Sequence, residues 1–303
     1  SSITNIVNYL LECGLVTEEG HEATGTAGRR AKLLRLRAGA MSIIAVNIEP
    51  NEAQVARTNL AGGLSRRVRI PLSEEKSANE ILIQIAQAAE EMFDSEVRAI
   101  GVAVSGHVMH ESGEVVSSIL RWKQINVKQF FEERFGVHVY VCNNSKTKAL
   151  WAANQHRTEM ERNTVFLDLA MGLGIISFFD GQINESVTGE LGHTTVMKDG
   201  PRCFCGNRGC LELVCSTRFV MDRCRTLGYQ VLERALDAFI AGNPDETRIF
   251  TEVAEYLGIG IANIISLFEP SLIIINQNEL IANNRLYEMA LDEAKARAFN
   301  LVS

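Results

Sequence analysis

The sequence predicts an α/β fold in two lobes, built as a duplicated sheet architecture. Three observations predict it. A chain of 303 residues, 46% apolar and 22% charged, can bury a sizeable core and is long enough for two lobes. Two rounds of β-hairpin, each followed by helix and strand, run along it. Several strand segments are nearly continuous apolar runs of the kind buried on both faces. Such α/β folds bind ligands in a cleft between their halves.

The elements follow in order. Ile3, Ile6, Val7, Leu10, Leu11 and Leu15 recur at helical spacing, with a Ser start and Gly14 near the end, which predicts an amphipathic helix over Ser2 to Leu15. "LRLRAGAMSIIAVNIEP" and "EAQVARTNLAGGLSRRVRIPL" read as strand and hairpin with Gly62-Gly63 at the turn. A helix, "ANEILIQIAQAAEEMF", precedes the apolar strand "VRAIGVAVSG". A helix around "VKQFFEERFG" leads to the strand "VHVYVCNN" and the helix "SKTKALWAANQ". The second round opens with the hairpin "NTVFLDLAMGLGIISFFDGQI", turns through a Cys-rich loop, becomes helical through "FTEVAEYLGIGIANIISLF", and returns to a strand at "SLIIIN" after Pro270.

No run of about eighteen apolar residues appears, and the first residues lack the basic flank and cleavage site of a secretion signal. The cytoplasm is therefore the expected compartment. The cysteine count, seven, is odd, and Cys13, Cys142, Cys215 and Cys224 sit in stretches that read as buried helix or strand, so reduced thiols fit better than a disulfide framework. Net charge is −7, against a protein coated for nucleic acid, but "RRAKLLRLR" carries five basic residues in nine and no acid, directly after "EATGTAG". That makes a local basic arm on an acidic body.

"GHTTVMKDGPRCFCGNRGCLE" packs His193, Cys203, Cys205 and Cys210 into one loop. One nitrogen and three sulfurs suit tetrahedral Cys₃His zinc, and Gly200, Pro201, Gly206 and Gly209 let the loop wrap an ion. The alternatives are reduced groups gathered by chance and a catalytic cysteine; a C-x-C pair strains a local disulfide, which favours metal. Four strong ligands leave no open position, so the zinc is structural rather than catalytic. The loop also holds Glu190 and Glu212, carboxylates suited to a hydroxyl-rich ligand such as a sugar; the competing reading of each is a solvated surface charge.

"GELGHTTVMKDGPRCFCGNRGCLE" resembles the signature of the ROK family, which unites sugar-responsive repressors and sugar kinases. "GVAVSGHV" resembles its G-x-x-x-P-G-x-V strand and turn, and "FLDLAMGLGIISFFDGQI" its second Gly-containing hairpin. The resemblance runs from about Leu33 to about residue 276. It implies an actin-like, hexokinase-like (ribonuclease H-like) duplicated ATPase fold, a sugar in the interlobe cleft, and zinc on His193, Cys203, Cys205 and Cys210.

Three places decide between the family's branches. ROK kinases open their first strand with a D-x-G-G-T loop whose backbone N–H groups approach ATP phosphates. Here that stretch is "AVNIEPNEAQV", where Pro50 has no N–H and Glu49 repels phosphate. Kinases carry Asn-Asp where this chain has Asn143-Asn144, and an amide cannot take a proton as a base. The N-terminal stretch resembles the recognition helix and wing of a winged helix-turn-helix, with Ser1, Ser2, Thr4 and Asn5 placed for a major groove and Arg29 and Arg30 for phosphates or a minor groove. The helices that precede that recognition helix in the family lie before Ser1, so the sequence is expected to begin inside the DNA-binding domain. The family's P-N-L turn is "SSILRW" here and its Pro is Ser105, departures that reshape an ordinary hexose site.

The expected organisation is therefore residues 1–38 as a partial winged helix-turn-helix and linker, 39–150 as the first lobe, and 151–303 as the second lobe with the zinc loop. The expected function is a sugar-responsive transcriptional repressor, similar to N-acetylglucosamine and xylose repressors and inactive as a kinase. A sugar at Asn143, Asn144, Glu190, His193 and Glu212 would bias the angle between lobes and so the spacing of two DNA heads in a homodimer or homotetramer. The alternatives are an ATP-dependent ROK sugar kinase and a repressor that reads a protein partner.

Overall fold

The computed structural model describes residues 2–21, 32–73, 75–109, 111–117, 119–156, 163–187 and 189–299. By its internal contacts the chain divides into two compact units, Ser1–Thr147 and Lys148–Ser303.

The first unit starts with a helix, α1 (Ser2–Glu12), and an antiparallel hairpin of β1 (Val16–His21) and β2 (Lys32–Leu36). The apolar residues of α1 do not share one buried face. Val7, Leu10, Leu11 and Leu15 are half-buried, while Ile3, Ile6 and Tyr9 stand exposed. A turn at Ala38–Ala40 separates β2 from β3 (Ser42–Ile48), so the run that reads as one strand is two, in different sheets. β3 continues as a meander through β4 (Glu52–Asn59) and β5 (Leu64–Pro71). Helix α2 (Ala78–Glu90) begins at a capping box in which Ser77 and Glu80 satisfy each other's backbone N–H groups.

Next come β6 (Val97–Val104), a small sheet of β7 (His107–Val108), β8 (Glu114–Ser117) and β9 (Trp122–Asn126), helix α3 (Val127–Phe135), and β10 (His138–Asn143). The main sheet has the order β10-β6-β3-β4-β5, with β3, β6 and β10 parallel. Contrary to the reading of its apolar run, β6 buries one face. Ile100, Val102 and Val104 enter the core, and Ala99, Gly101 and Ala103 form a half-buried opposite face whose small residues give no polar signal of exposure.

Helix α4 (Asn144–Gln155) leads into the second unit. Its sheet is built from β11 (Thr164–Leu169), β12 (Leu173–Phe179), β13 (Gln182–Ile183) and, after a helical stretch, β14 (Leu272–Ile275). That stretch comprises α5 (Glu212–Cys215), α6 (Thr217–Arg225), α7 (Leu232–Ile240) and α8 (Pro244–Phe268); α9 (Glu279–Ala282) and α10 (Asn284–Arg297) follow β14. The order β13-β12-β11-β14, with β14 parallel to β11, repeats the β5-β4-β3-β6 portion of the first sheet. This is the duplication expected of the actin-like fold.

Helix α8 is long and apolar enough by composition to cross a membrane. Its apolarity is used inside the unit, where Ile249, Phe250, Val253, Leu257, Ile261 and Ile264 join the core. The buried-cysteine reading holds for Cys215 and Cys224; Cys13 is exposed and Cys142 half-buried, because α1 and the end of β10 turn those positions away from their cores.

Two substitutions in α8 check this core. Phe250, fully buried with its ring centroid 5.2 Å from that of Phe239, should cost about 3–5 kcal/mol as Phe250→Ala. Leu267→Ala, at a position 73% exposed, should stay within about 0.5 kcal/mol in the same denaturant titration.

Candidate functional site

The Cys-rich loop folds around one point. His193 ends a short helical turn, Leu191–His193, and Cys210 lies two residues before α5, with Leu211 as its N-cap. The chain between them closes through two isolated bridges, Thr195 with Cys210 and Arg202 with Arg208. Gly209 makes the closure possible. Its φ is +63°, and a Cβ there would stand 1.7 Å from the Met197 carbonyl oxygen. The backbone N–H groups of Val196 and Met197 donate to the Gly209 carbonyl, and that of Cys203 donates to the Asn207 carbonyl.

This closure brings His193, Cys203, Cys205 and Cys210 together, with one donor atom from each within 4.8 Å of the others. Cys203 Sγ is 3.7 Å from His193 Nδ1, and Cys205 Sγ is 3.7 Å from Cys210 Sγ. A tetrahedron with metal–sulfur bonds of about 2.3 Å has edges of about 3.8 Å, so the donor set fits a tetrahedral cation. Without a cation the crowding is unfavourable for thiolates. Burial, reinforced by the neighbouring thiols, pushes the Cys210 thiol up to about 12, and burial also raises Cys203. The exposed Cys205 is lowered by the Asn207 backbone N–H.

His193 turns its two nitrogens to different tasks. Nδ1 faces the sulfurs and Nε2 lies 3.8 Å from Glu190 Oε2, while the Phe204 ring meets the imidazole edge-on at 5.2 Å. At that distance the carboxylate is within ion-pair reach of the imidazole but too far for a hydrogen bond. Glu190 itself is exposed. Glu212 is not a solvated charge. It is buried, and its Oε2 accepts the Leu173 backbone N–H at 3.1 Å, just past the β11–β12 turn. Burial raises its pKa, and that hydrogen bond is the largest opposing influence. Gly192 fits the same junction, since a Cβ there would lie 2.4 Å from the Leu173 carbonyl oxygen.

In the first unit, Asn143 and Asn144 sit where β10 passes into α4. Asn143 donates to the Gly106 carbonyl at 2.7 Å and accepts the Ser145 and Lys146 backbone N–H groups, capping the helix. Asn144 is buried and donates to the Ser105 hydroxyl at 2.9 Å. The turn after β3 closes on itself: Asn47 donates to the Glu49 carboxylate and the Glu49 N–H to the Glu52 carbonyl. Of the DNA-contact candidates, Thr4 and Asn5 are exposed in the first turns of α1, which Ser2 begins; Ser1, Arg29 and Arg30 lie outside the described residues.

One polar centre gave no motif to read. Asp168, buried in β11, accepts from Asn276 Nδ2 at 2.6 Å and lies 3.4 Å from Lys148 Nζ. Asn276 Oδ1 accepts the Leu169 N–H at 2.7 Å, and Asn278 donates to the Leu169 carbonyl. The available signals were an Asp inside an apolar strand and the asparagines directly after β14.

The sequence pattern that defines the ROK family matches residues 43–300. The chain belongs to the ROK family. It is 26% identical to the xylose repressor of Bacillus spizizenii over 99% of this chain and 80% of that one. It is also 26% identical to the DNA-binding transcriptional dual regulator NagC of Escherichia coli, over 91% and 72%. Among solved structures, a ROK family transcriptional regulator, homologous to the E. coli MLC protein, is 25% identical with a TM-score of 0.82, covering 98% of this chain and 81% of that one. The ROK hexokinase of Thermus thermophilus shares the fold at 24% identity and a TM-score of 0.66, covering 85% of this chain and 89% of its own.

Within the ROK pattern two departures of this chain turn out to touch. These are Ser105 and Asn144, the positions at which the resemblance leads one to expect a proline and the kinase aspartate, and the Ser105 hydroxyl accepts from the Asn144 amide. The Asp168 centre ties the exits of β11 and β14 together through Asn276. Asn276→Ala strands both the Leu169 N–H and one Asp168 oxygen, and should destabilise this ROK chain by about 2–4 kcal/mol in urea unfolding.

Proposed function

We propose that the protein is a transcriptional repressor that binds operator DNA, responds to a sugar or sugar derivative, and does not phosphorylate it. The observation that carries this reading is coverage. The ROK pattern starts at residue 43 and the hexokinase covers 85% of this chain, whereas the transcriptional regulator and the xylose repressor run over 98% and 99% of it. The repressor-type relation therefore extends over α1 and the β1–β2 hairpin. A helix followed by a two-stranded ribbon suits a recognition helix and wing, with Ser1, Ser2, Thr4 and Asn5 at the groove and Arg29 and Arg30 on phosphates. Operators with two half-sites call for a homodimer or larger symmetric oligomer, working in the cytoplasm.

Chemistry at the kinase positions supports an effector domain without catalysis. Asn144 carries no basic oxygen able to take a sugar hydroxyl's proton, and its amide is engaged by Ser105. Pro50 offers no N–H to a phosphate, and Glu49 presents like charge. For the sugar, the second unit offers the exposed Glu190 carboxylate and the His193 edge. Asn143 and Glu212 act as positioning residues: one caps α4 and the other holds the β11–β12 turn through Leu173.

The metal in this reading is zinc, held by His193, Cys203, Cys205 and Cys210. When bound it supplies a four-point cross-link with no open coordination position. The loop it closes is the one that aims Glu190 and His193.

Protein purified in reducing, chelator-free buffer should contain about one zinc per chain by elemental analysis, and Cys205→Ser should fall far below that with a lowered melting temperature. Zinc-free protein with an unchanged melting temperature would reject the assignment. Duplexes selected from a random pool should bind with Kd of about 10⁻⁸ M or tighter at physiological salt, with affinity changed by one member of a panel containing xylose, glucose and N-acetylglucosamine. Coupled detection of ADP should stay at background with every sugar; release of ADP would return the protein to the kinase branch.

A further inference from the structure

The loop that carries His193, Cys203, Cys205 and Cys210 has an exposed face to which the sugar and operator readings assign no residue. Thr195, Lys198, Arg202, Gly206, Asn207 and Arg208 line an open, shallow concavity of about 760 Å³ there. Three of these residues are cations and none is a carboxylate. Among the described residues, none of the three cations has an ion-pair partner, in a chain whose net charge is −7. Asp199, the acid next to them in sequence, does not line the concavity.

The backbone that carries these cations is fixed. Arg202 and Arg208 face each other across a bridge. Asn207 Nδ2 donates to the Thr195 hydroxyl at 2.9 Å, the Thr195 hydroxyl donates to the Arg208 carbonyl, and Asn207 Oδ1 accepts the Arg208 N–H. Cys203 adjoins Arg202, and Cys205 and Cys210 flank the Gly206–Arg208 segment, so closure of the metal centre also sets the spacing of the two guanidinium stems.

We propose that this face is a phosphate-binding site for a small phosphorylated ligand, with the phosphate held by Lys198, Arg202 and Arg208. Two guanidinium forks and an ammonium match a tetrahedral dianion in charge and geometry, a match that a planar carboxylate makes less fully. The inference rests on the loop's geometry and stands apart from the sugar and operator readings.

The test is calorimetric titration of the full chain, metal-loaded, at constant ionic strength. Pyrophosphate, inorganic phosphate and glucose 6-phosphate are the probes, and citrate and a random DNA duplex the comparisons. Saturable one-to-one binding of the phosphate compounds is expected. The combined variant Lys198→Gln, Arg202→Gln, Arg208→Gln should weaken it by at least about tenfold with zinc content unchanged. A phosphate ester that outbinds inorganic phosphate supports the proposal and identifies an ester as the ligand; inorganic phosphate binding as tightly supports it and identifies the free ion. No saturable binding, equal affinity in the combined variant, citrate matching pyrophosphate, or binding of the duplex alone would each overturn it. If the combined variant loses zinc, Arg202→Gln alone decides: weakened phosphate binding with zinc retained supports the site, and unchanged binding removes it.

Discussion

Four donor atoms held within 4.8 Å of one another on a single loop set the constraint from which the second unit's surface follows. To meet it, the backbone at Gly209 must pass against Met197 so closely that no side chain fits. Once the loop is closed, the next residue, Leu211, is fully buried and reaches α8 near Gly260, and Glu212 drops beneath the β11–β12 turn. The donors are thus fastened to the sheet from below, and burial holds the Cys203 and Cys210 thiols against ionisation. Cross-linking such a loop removes freedom that it would otherwise regain, which is how a structural metal supplies folding energy.

Polar groups inside both units are placed with the same economy. Glu212 buries a carboxylate on one backbone N–H, Asp168 on the Asn276 amide and Lys148, and Asn144 on the Ser105 hydroxyl. Burying a polar atom without a partner costs more than any hydrogen bond returns, so these positions tolerate little change. Asn144 and Asp168 stand at the ends of strands β10 and β11, the edge of an α/β sheet at which ligand chemistry is usually found. At the first of them the side chain is an amide, hydrogen-bonded to Ser105.

Periodicity made the strands and helices of both rounds legible, because burial writes itself into sequence as spacing. It misled where polarity carried no contrast. In β6 the alternate face is Ala99, Gly101 and Ala103, so a strand with one buried face looks apolar throughout. In α1, Ile3 and Ile6 look like core residues and stand exposed. The residues from β7 to β9 form a small sheet of very short strands, too short for alternation to register. Of the candidate site, the His193, Cys203, Cys205 and Cys210 group that could hold a metal was legible because thiol and imidazole chemistry is rare and their spacing is local. The Asp168 centre was not, since its partner Asn276 lies far along the chain and an amide carries no spacing signature.

The sequence by itself determined which atoms can bind metal and which strands pair as hairpins, since each of these is a property of residue type or of neighbours within a few positions. Only the tertiary structure decided the fate of the carboxylates and amides. Glu190 and Glu212 flank the same loop and look alike in sequence, yet one faces solvent beside His193 and the other lies buried on Leu173. Ser105 and Asn144 read as two separate departures and form one hydrogen-bonded pair. The physical reason is the same in each case: what a polar side chain does depends on the partner that burial leaves it, and that partner comes from a distant part of the chain.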